Sequence, residues 1–415
     1  SSFRIMETLS LSEAVGLLNT NTSAGYNYPG KKKIDVIPIA KKRALQMYLN
    51  IINGIEEEHI PYKLGMRGHV SPIHENKTRP IWVGAIETNI LEIMLFKNIY
   101  KQMFEKSQLQ EKFLTGKGTM KRLYDYINTT EDCTFVNTDI SAFDSMRARF
   151  VLHDIFSALK TRITFKKGED LLFDWLVEDF IYARLALPDG SIYKKTSGVP
   201  TGSFLTLMIN SLSNYVMQHT ILNILDINYF SSRILGDDFS FKTERLDPRH
   251  FDKLNADYSS VALSCFGLIV KPEKVIITNN QSDRKFIGYM IREGKLYREA
   301  SDYFKLVLYS EHVVPDLSYS FTRLMATYLI GGCNSREFVR FFEYFVAGYE
   351  TDLEAYGTRL TKSRGLFTGS MKMLKHIHCM DLSAFQEISL ADFRRLIHSK
   401  IPHFLVYDMP LTGVG

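Results

Sequence analysis

The stretch "ILGDDFSF", residues 234–241, sets two aspartates side by side between apolar runs. One reading is a hairpin turn, because Gly and Asp tolerate the backbone angles of tight turns. The other is a metal site, because hard divalent cations take carboxylate oxygens. These residues alone leave both readings open. The wider segment "YFSSRILGDDFSFK" (229–242) predicts a strand, a turn and a second strand.

A partner for this hairpin lies upstream, in "CTFVNTDISAFDSM" (133–146). Thr134 to Thr138 are β-prone and predict a strand ending near Asp139, with Asp144 five residues later. If the two strands are neighbours, Asp139 and Asp237 reach one point from different backbones. Close carboxylates repel unless a cation lies between them. Two Mg²⁺ ions about 3.5–4 Å apart would neutralise them and could clamp a phosphoryl transfer. The bland alternative is that Asp139 caps a helix and Asp144 lies on a solvated face.

Between these segments stands "SGVPTGSFLTLMIN" (197–210). A glycine-bearing loop before a helix lets a nucleic-acid backbone approach closely. Thr206 and Asn210 are four residues apart and share one helix face. Asn210 needs a hydrogen-bond partner in an otherwise apolar helix, and Asp144 could supply it. The alternative is a plain glycine turn and a core Asn bonded to backbone.

Helices are expected over 87–106 (amphipathic), 148–160 and 200–226 (largely buried). Another is expected over 247–267, with Asp247 as N-cap, Pro248 in the first turn and Gly267 after the last. Strands with a turn at Gly294 are expected over 274–298, and mostly helix follows. The order strand, helix, long helix, hairpin, helix, strand predicts an α+β fold. Its small antiparallel sheet would carry helices on one face, leaving the other free for a ligand.

Composition sets broad limits. The 415 residues exceed the usual size of one compact domain. A charge of +5 permits an anionic partner without demanding one. The four cysteines form no C-x-x-C pair, which argues against zinc and for a reducing, intracellular setting. No run approaches the roughly 18 apolar residues of a membrane span. No signal peptide is recognised, and the start "SSFRIM" suggests a processed or trimmed chain. "HIH" (376–378) has no companion ligands in sequence.

S-G-x-P-x-G-S followed by T-x-x-x-N, between D-x4-D and G-D-D, resembles the catalytic palm of viral RNA-dependent RNA polymerases. "TSAGYNYPGKKK" (22–33) resembles the template-entry loop of picornavirus-type polymerases, and "HENKTRPIW" (74–82) the basic motif that grips the incoming triphosphate. "FGLIVKPEK" (266–274) resembles the segment with a proton-donating lysine, and "FIGY" (286–289) the primer-gripping hairpin. "KTRPIW" is also similar to polymerases of partitiviruses and picobirnaviruses.

The resemblance implies a right-hand polymerase. Fingers would take 1–130 and 160–195, palm 131–159 and 196–285, and a primer-grip hairpin with a small helical thumb 286–415. It implies that Asp139 and Asp237 hold Mg²⁺ (or Mn²⁺), with Asp238 beside them. Asp144, Ser197 and Asn210 would sense the ribose, with Thr206 helping to position them and Gly198 among the nucleotide-binding residues. Lys77 and Arg79 would grip the triphosphate of the NTP, with Lys63 and Arg67 as lesser candidates in the same channel. Lys274 would protonate the departing pyrophosphate, with Lys271 its rival. Thr22, Ser23, Gly25 and Tyr26 would line the RNA template path, and Lys31, Lys32 and Lys33 would meet phosphates. Partners would be RNA template and primer, nucleoside triphosphates, and capsid or other viral replication proteins. The setting would be host cytoplasm, virion or replication complex. Two rivals remain: a reverse transcriptase, and a non-catalytic RNA-binding subunit with the palm shape.

Overall fold

The computed structural model describes residues 5–68, 74, 78–105, 112–114, 119–145, 148–309, 317–329 and 331–349. These form two units. The larger takes the described residues up to 113 and from 133 to 277, and the smaller takes the described residues from 114 to 132 and from 278 to 349.

At the centre of the larger unit is a four-stranded sheet in the order Ile276–Thr278, Cys133–Thr138, Asp238–Glu244, Tyr229–Leu235. The last three strands are antiparallel, with Phe239 opposite Thr138 and Ser232 opposite Phe241. Phe135, Val136, Phe239 and Phe241 supply its core. The two middle strands are buried on both faces over nearly their whole length. The expectation of one free face is therefore corrected: the accessible part of the sheet is its end, where Asp139 and Asp237 lie.

The helix Thr206–Ile224 packs against the Tyr229–Leu235 strand and against the helices Arg149–Lys160 and Phe251–Phe266. The last of these follows a short 3-10 turn, Pro248–His250. Asp247 accepts from the Arg249 N–H there, and Gly267 ends the helix with a φ of +67°.

The helix Ile86–Glu105 departs from expectation. Its first three turns are buried all round, including Glu87, Asn89 and Glu92. The amphipathic reading fails because these polar groups meet internal partners instead of water. Also unexpected is a second sheet, in the order Thr78–Val83, Tyr62–Gly68, Arg184–Ala186, Ile192–Lys194.

In the smaller unit, Phe286 and Tyr289 exchange both backbone hydrogen bonds across Ile287 and Gly288, which have positive φ. The hairpin Met290–Arg292 with Lys295–Tyr297 follows, then the helices Ala300–Leu308, Leu317–Leu329 and Arg336–Gly348. The buried Arg284 donates to the Ile127, Thr129 and Glu131 carbonyls, satisfying acceptors at and beyond the end of the helix Thr119–Ile127.

Candidate active site

The turn at residues 236–237 is the hairpin turn that the Gly-Asp pair predicts, and it carries carboxylates at its tip. Leu235 pairs with Asp238, leaving Gly236 and Asp237 as a two-residue loop. Of the two, only Gly236 has positive φ, +61°, the pattern of a type II′ hairpin turn. One step beyond the Phe239–Thr138 pair, the register sets Asp238 beside Asp139. Asp237 sits at the tip next to them.

Polar side chains of the helix Thr206–Ile224 hold this turn. Ser211 Oγ accepts from the Gly236 N–H at 3.1 Å. Asn214 Nδ2 donates to the Gly236 carbonyl at 3.0 Å and reaches the Asp238 carbonyl at 3.4 Å. Gln218 Nε2 donates to Asn214 Oδ1 at 2.9 Å. All three side chains are fully buried. Asn214→Leu keeps the volume but strands these carbonyls and the Gln218 amide. It should cost about 1–3 kcal/mol, read as a lower urea midpoint with an unchanged slope. An unmoved midpoint would show that these bonds contribute nothing net.

The carboxylates at the turn repel one another. Burial raises the Asp238 carboxyl to about 7, helped by Asp237 and Asp139. Burial also raises Asp237, with Asp144 and Asp139 adding to the rise and Arg79 opposing it. Asp237 is exposed at the turn, so its dehydration comes from protein packed around the loop rather than over it. Among the described residues, no three His, Cys, Asp or Glu side chains stand as a ready-made ion cage.

Lys274 arrives by a short ladder. Ile269–Val270 pairs with Ile140–Ser141, and the Lys271 N–H donates to the Asp139 carbonyl at 3.1 Å. A 3-10 turn, Pro272–Lys274, then brings Lys274 Nζ to 3.2 Å from Asp139 Oδ2. Lys271 meets Asp139 through backbone.

Asp144 and Asn210 come together as the spacing suggested. Asn210 Nδ2 donates to Asp144 Oδ1 at 2.7 Å. Asn210 is 6% exposed, and its Oδ1 has no protein donor. The chain reaches Asp144 through Ala142, whose φ is +49°. Gly198 lies against Asp144 with a φ of +79°, and a Cβ there would fall 2.4 Å from the Asp144 carbonyl oxygen. That carbonyl also accepts from the Val199 N–H at 2.8 Å. Ser197 is half-buried beside it, and Thr206 Oγ1 donates to the Pro200 carbonyl at 2.6 Å.

Arg79 is exposed on the strand Thr78–Val83, opposite Arg67. The Trp82 N–H of the same strand donates to Thr201 Oγ1 at 2.8 Å, tying it to the loop before the long helix. Lys77 and the segment 376–378 lie outside the described residues. In the loop 22–33, Ser23 bridges to Lys32, Ala24 N–H donates to the Lys31 carbonyl, and Thr22 Oγ1 donates to the Asn19 carbonyl. The Gly25 N–H meets Ser23 Oγ at 3.3 Å, while Tyr26, Lys31 and Lys32 are exposed. Lys33 does not share this placement. It is 9% exposed and donates to Asn89 Oδ1 at 2.6 Å, so it is turned away from any external phosphate.

Sequence reading missed Ser211, Asn214, Gln218, Glu92 and Lys195. The first three carried a signal, polar residues three and four apart in an apolar helix. Glu92 carried a weaker one, a lone charge within "ILEIML".

The profile of the family described as "Viral RNA-dependent RNA polymerase" matches residues 4–346. The "RNA-directed RNA polymerase" of White clover cryptic virus 1 is 26% identical over 255 residues, covering 54% of this chain and 41% of that protein. The "Genome polyprotein" of Pea seed-borne mosaic virus is 27% identical over 248 residues, 55% of this chain and 7% of that one. The chain thus aligns with about two fifths or less of these relatives' lengths. Among solved structures, the RNA-dependent RNA polymerase of a human picobirnavirus gives a TM-score of 0.65 at 16% identity, covering 86% of this chain and 71% of that one. Sicinivirus 3Dpol gives 0.64 at 17% identity, covering 83% and 77%.

Proposed function

Because this chain belongs to the viral RNA-dependent RNA polymerase family, we propose that it copies RNA by template-directed nucleotidyl transfer at the Asp139–Asp237 site. The fold is that of the right-hand polymerases. We assign the fingers, palm and thumb to the ranges given by the motifs. The observation that carries the proposal is the convergence of carboxylates from two strands distant in sequence, with repulsion that burial intensifies.

The family uses nucleoside triphosphates and divalent metal ions. The residues here fit a hard cation such as Mg²⁺. They offer only carboxylate oxygens, and their raised protonation marks negative charge that a cation would relieve. Mg²⁺ usually binds through one or two carboxylates plus water and substrate phosphates, so no protein cage is required. Asp139 and Asp237 would be its ligands, with Asp238 adjacent. When bound, the ion would supply Lewis-acid stabilisation of the transferring phosphoryl group.

The chain's own groups provide the rest. Arg79, with Lys77, would hold the triphosphate, and the guanidinium suits bidentate phosphate contact. The unsatisfied Asn210 Oδ1, aligned by Asp144, would accept from the ribose 2′-hydroxyl. As the primer 3′-oxygen gives up its proton to water and bonds to the α-phosphorus, the bond to pyrophosphate breaks. Lys274 Nζ would then give that leaving group a proton. Tyr26, Lys31 and Lys32 would meet the template, mainly through its backbone and so in a salt-dependent way. No helix among the described residues is long and apolar enough to cross a membrane. Host cytoplasm, or a virion or replication complex with other viral proteins, would be its setting.

Extension of a primed RNA template tests the proposal. Ribonucleotides should be incorporated under template direction with Mg²⁺ or Mn²⁺, and deoxyribonucleotides poorly. Preferential use of deoxyribonucleotides would favour a reverse transcriptase. RNA binding without incorporation would favour a non-catalytic subunit.

A further inference from the structure

The loop from Ser197 to Phe204 is gripped at both ends by buried charged side chains that the proposed reaction does not use. At one end stands Lys195, 8% exposed. Its Nζ donates to the Gly198 and Ile181 carbonyls, each at 2.6 Å. At the other end stands Glu92, 1% exposed, on the helix Ile86–Glu105. Its carboxylate accepts from the Phe204 N–H at 2.9 Å, from Asn89 Nδ2 at 3.1 Å, and from Ser203 Oγ.

Burying a charge is costly unless its interactions compensate. Here both charges hold the same loop. Each anchor leads to one member of the ribose pair. Lys195 fixes Gly198, and the neighbouring Val199 N–H holds the Asp144 carbonyl. Glu92 fixes Ser203 and Phe204. Ser203 Oγ then accepts from the Leu205 N–H, and the helix begins at Thr206, with Asn210 one turn on. The two anchors therefore act on opposite sides of the 2.7 Å contact between Asn210 and Asp144.

We propose that Glu92 and Lys195 are positioning residues for sugar discrimination, holding the loop so that Asp144 and Asn210 meet the nucleotide's 2′-hydroxyl in register. The proposal rests on the polymerase reading. It assigns neither residue a contact with substrate.

Burial draws both groups toward neutrality, raising Glu92 to about 7 and lowering Lys195 to about 7. Glu92 faces Lys33, Tyr62 and Asp179 from the surrounding elements. Lys195 faces Asp179 and Arg149. Asp179 takes the Tyr62 hydroxyl at 3.0 Å and lies 3.3 Å from His59. The sign follows from charge. Glu92 is ionised above about 7, so its end of the loop slackens on the acid side. Lys195 is charged below about 7, so its end slackens on the alkaline side.

The test measures kcat/KM for a ribonucleotide and its 2′-deoxy counterpart from pH 6 to 8.5. Wild type, Glu92→Gln, Lys195→Met and Lys195→Arg are compared. Glu92→Gln and Lys195→Met should each lower the ribo-to-deoxy ratio about tenfold or more, the scale of a sub-ångström to ångström displacement. Glu92→Gln should also lose the acid-side fall in that ratio, and Lys195→Met the alkaline-side fall. Lys195→Arg should restore part of the selectivity. Equal losses for both sugars, with the ratio unchanged, would overturn the proposal. If Lys195→Met does not fold, Glu92→Gln decides, because the neutral amide avoids burying a charge. A wild type that incorporates neither nucleotide would overturn the polymerase reading, and this inference with it.

Discussion

Asp237→Ala should lower template-directed incorporation by about a thousandfold or more, the scale of losing a group that organises charge at the reacting phosphate. The variant should still fold. The positive φ of the turn belongs to Gly236, and the bonds that seat it use backbone groups of Gly236 and Asp238. Its stability should even exceed that of wild type in metal-free buffer at alkaline pH. Asp237 is raised by burial and by Asp144 and Asp139, and it helps raise Asp238 to about 7. A carboxyl raised on folding stabilises below its unfolded pKa, and that contribution is lost as pH climbs through the folded value. For Asp238 the window runs from 3.8 to about 7. In chelator at pH 8 the variant should therefore melt above wild type, and near pH 3.5 the gap should close. Mg²⁺ should raise the wild-type melting temperature at pH 8 more than that of the variant. Retention of most incorporation, or a variant that melts lower at pH 8 in chelator, would break the assignment.

The parts of this site visible in the sequence are those with local causes. The turn was legible because Gly-Asp chemistry and flanking β-prone runs act over a few residues. The end of the helix Phe251–Phe266 was legible for the same reason, through Gly267, whereas Asp247 and Pro248 begin the 3-10 turn before it and not the helix itself. The hairpin Tyr62–Gly68 with Thr78–Val83 was not. Its first strand carries two lysine or arginine residues and a central glycine, its second carries Pro80, and it is completed by pairing with Arg184–Ala186 far along the chain. The role of Glu92 was not legible, because its Ser203 partner is 111 residues away. Lys33 looked like a phosphate contact because nothing local reveals Asn89 beneath it. Motif order could nominate Asp139, Asp144, Asn210 and Asp237. It could not nominate the side chains that hold their loops, because those hydrogen bonds exist only after distant segments meet.

Lys274 separates two roles that its position permits. At 3.2 Å from Asp139 it could serve only as a counter-ion, or it could also deliver a proton to pyrophosphate. Both side chains of the pair are substantially exposed, 52% and 39%, so the contact should contribute no more than about 0–1 kcal/mol to stability. Loss of activity on substitution would then not reflect unfolding. Arg keeps the charge but does not release its proton in proteins. If Lys274 is only a counter-ion, Lys274→Arg should incorporate nucleotides at nearly the wild-type rate and only Lys274→Leu should be slow. If it is the general acid, both should fall by about a hundredfold in single-turnover extension, within the usual range for proton transfer by a positioned side chain. We expect the second result. Lys271→Leu should leave the rate near wild type, because the ladder to Asp139 uses the Lys271 backbone N–H and survives the change. A slow Lys271→Leu beside a fast Lys274→Arg would move the acid to Lys271.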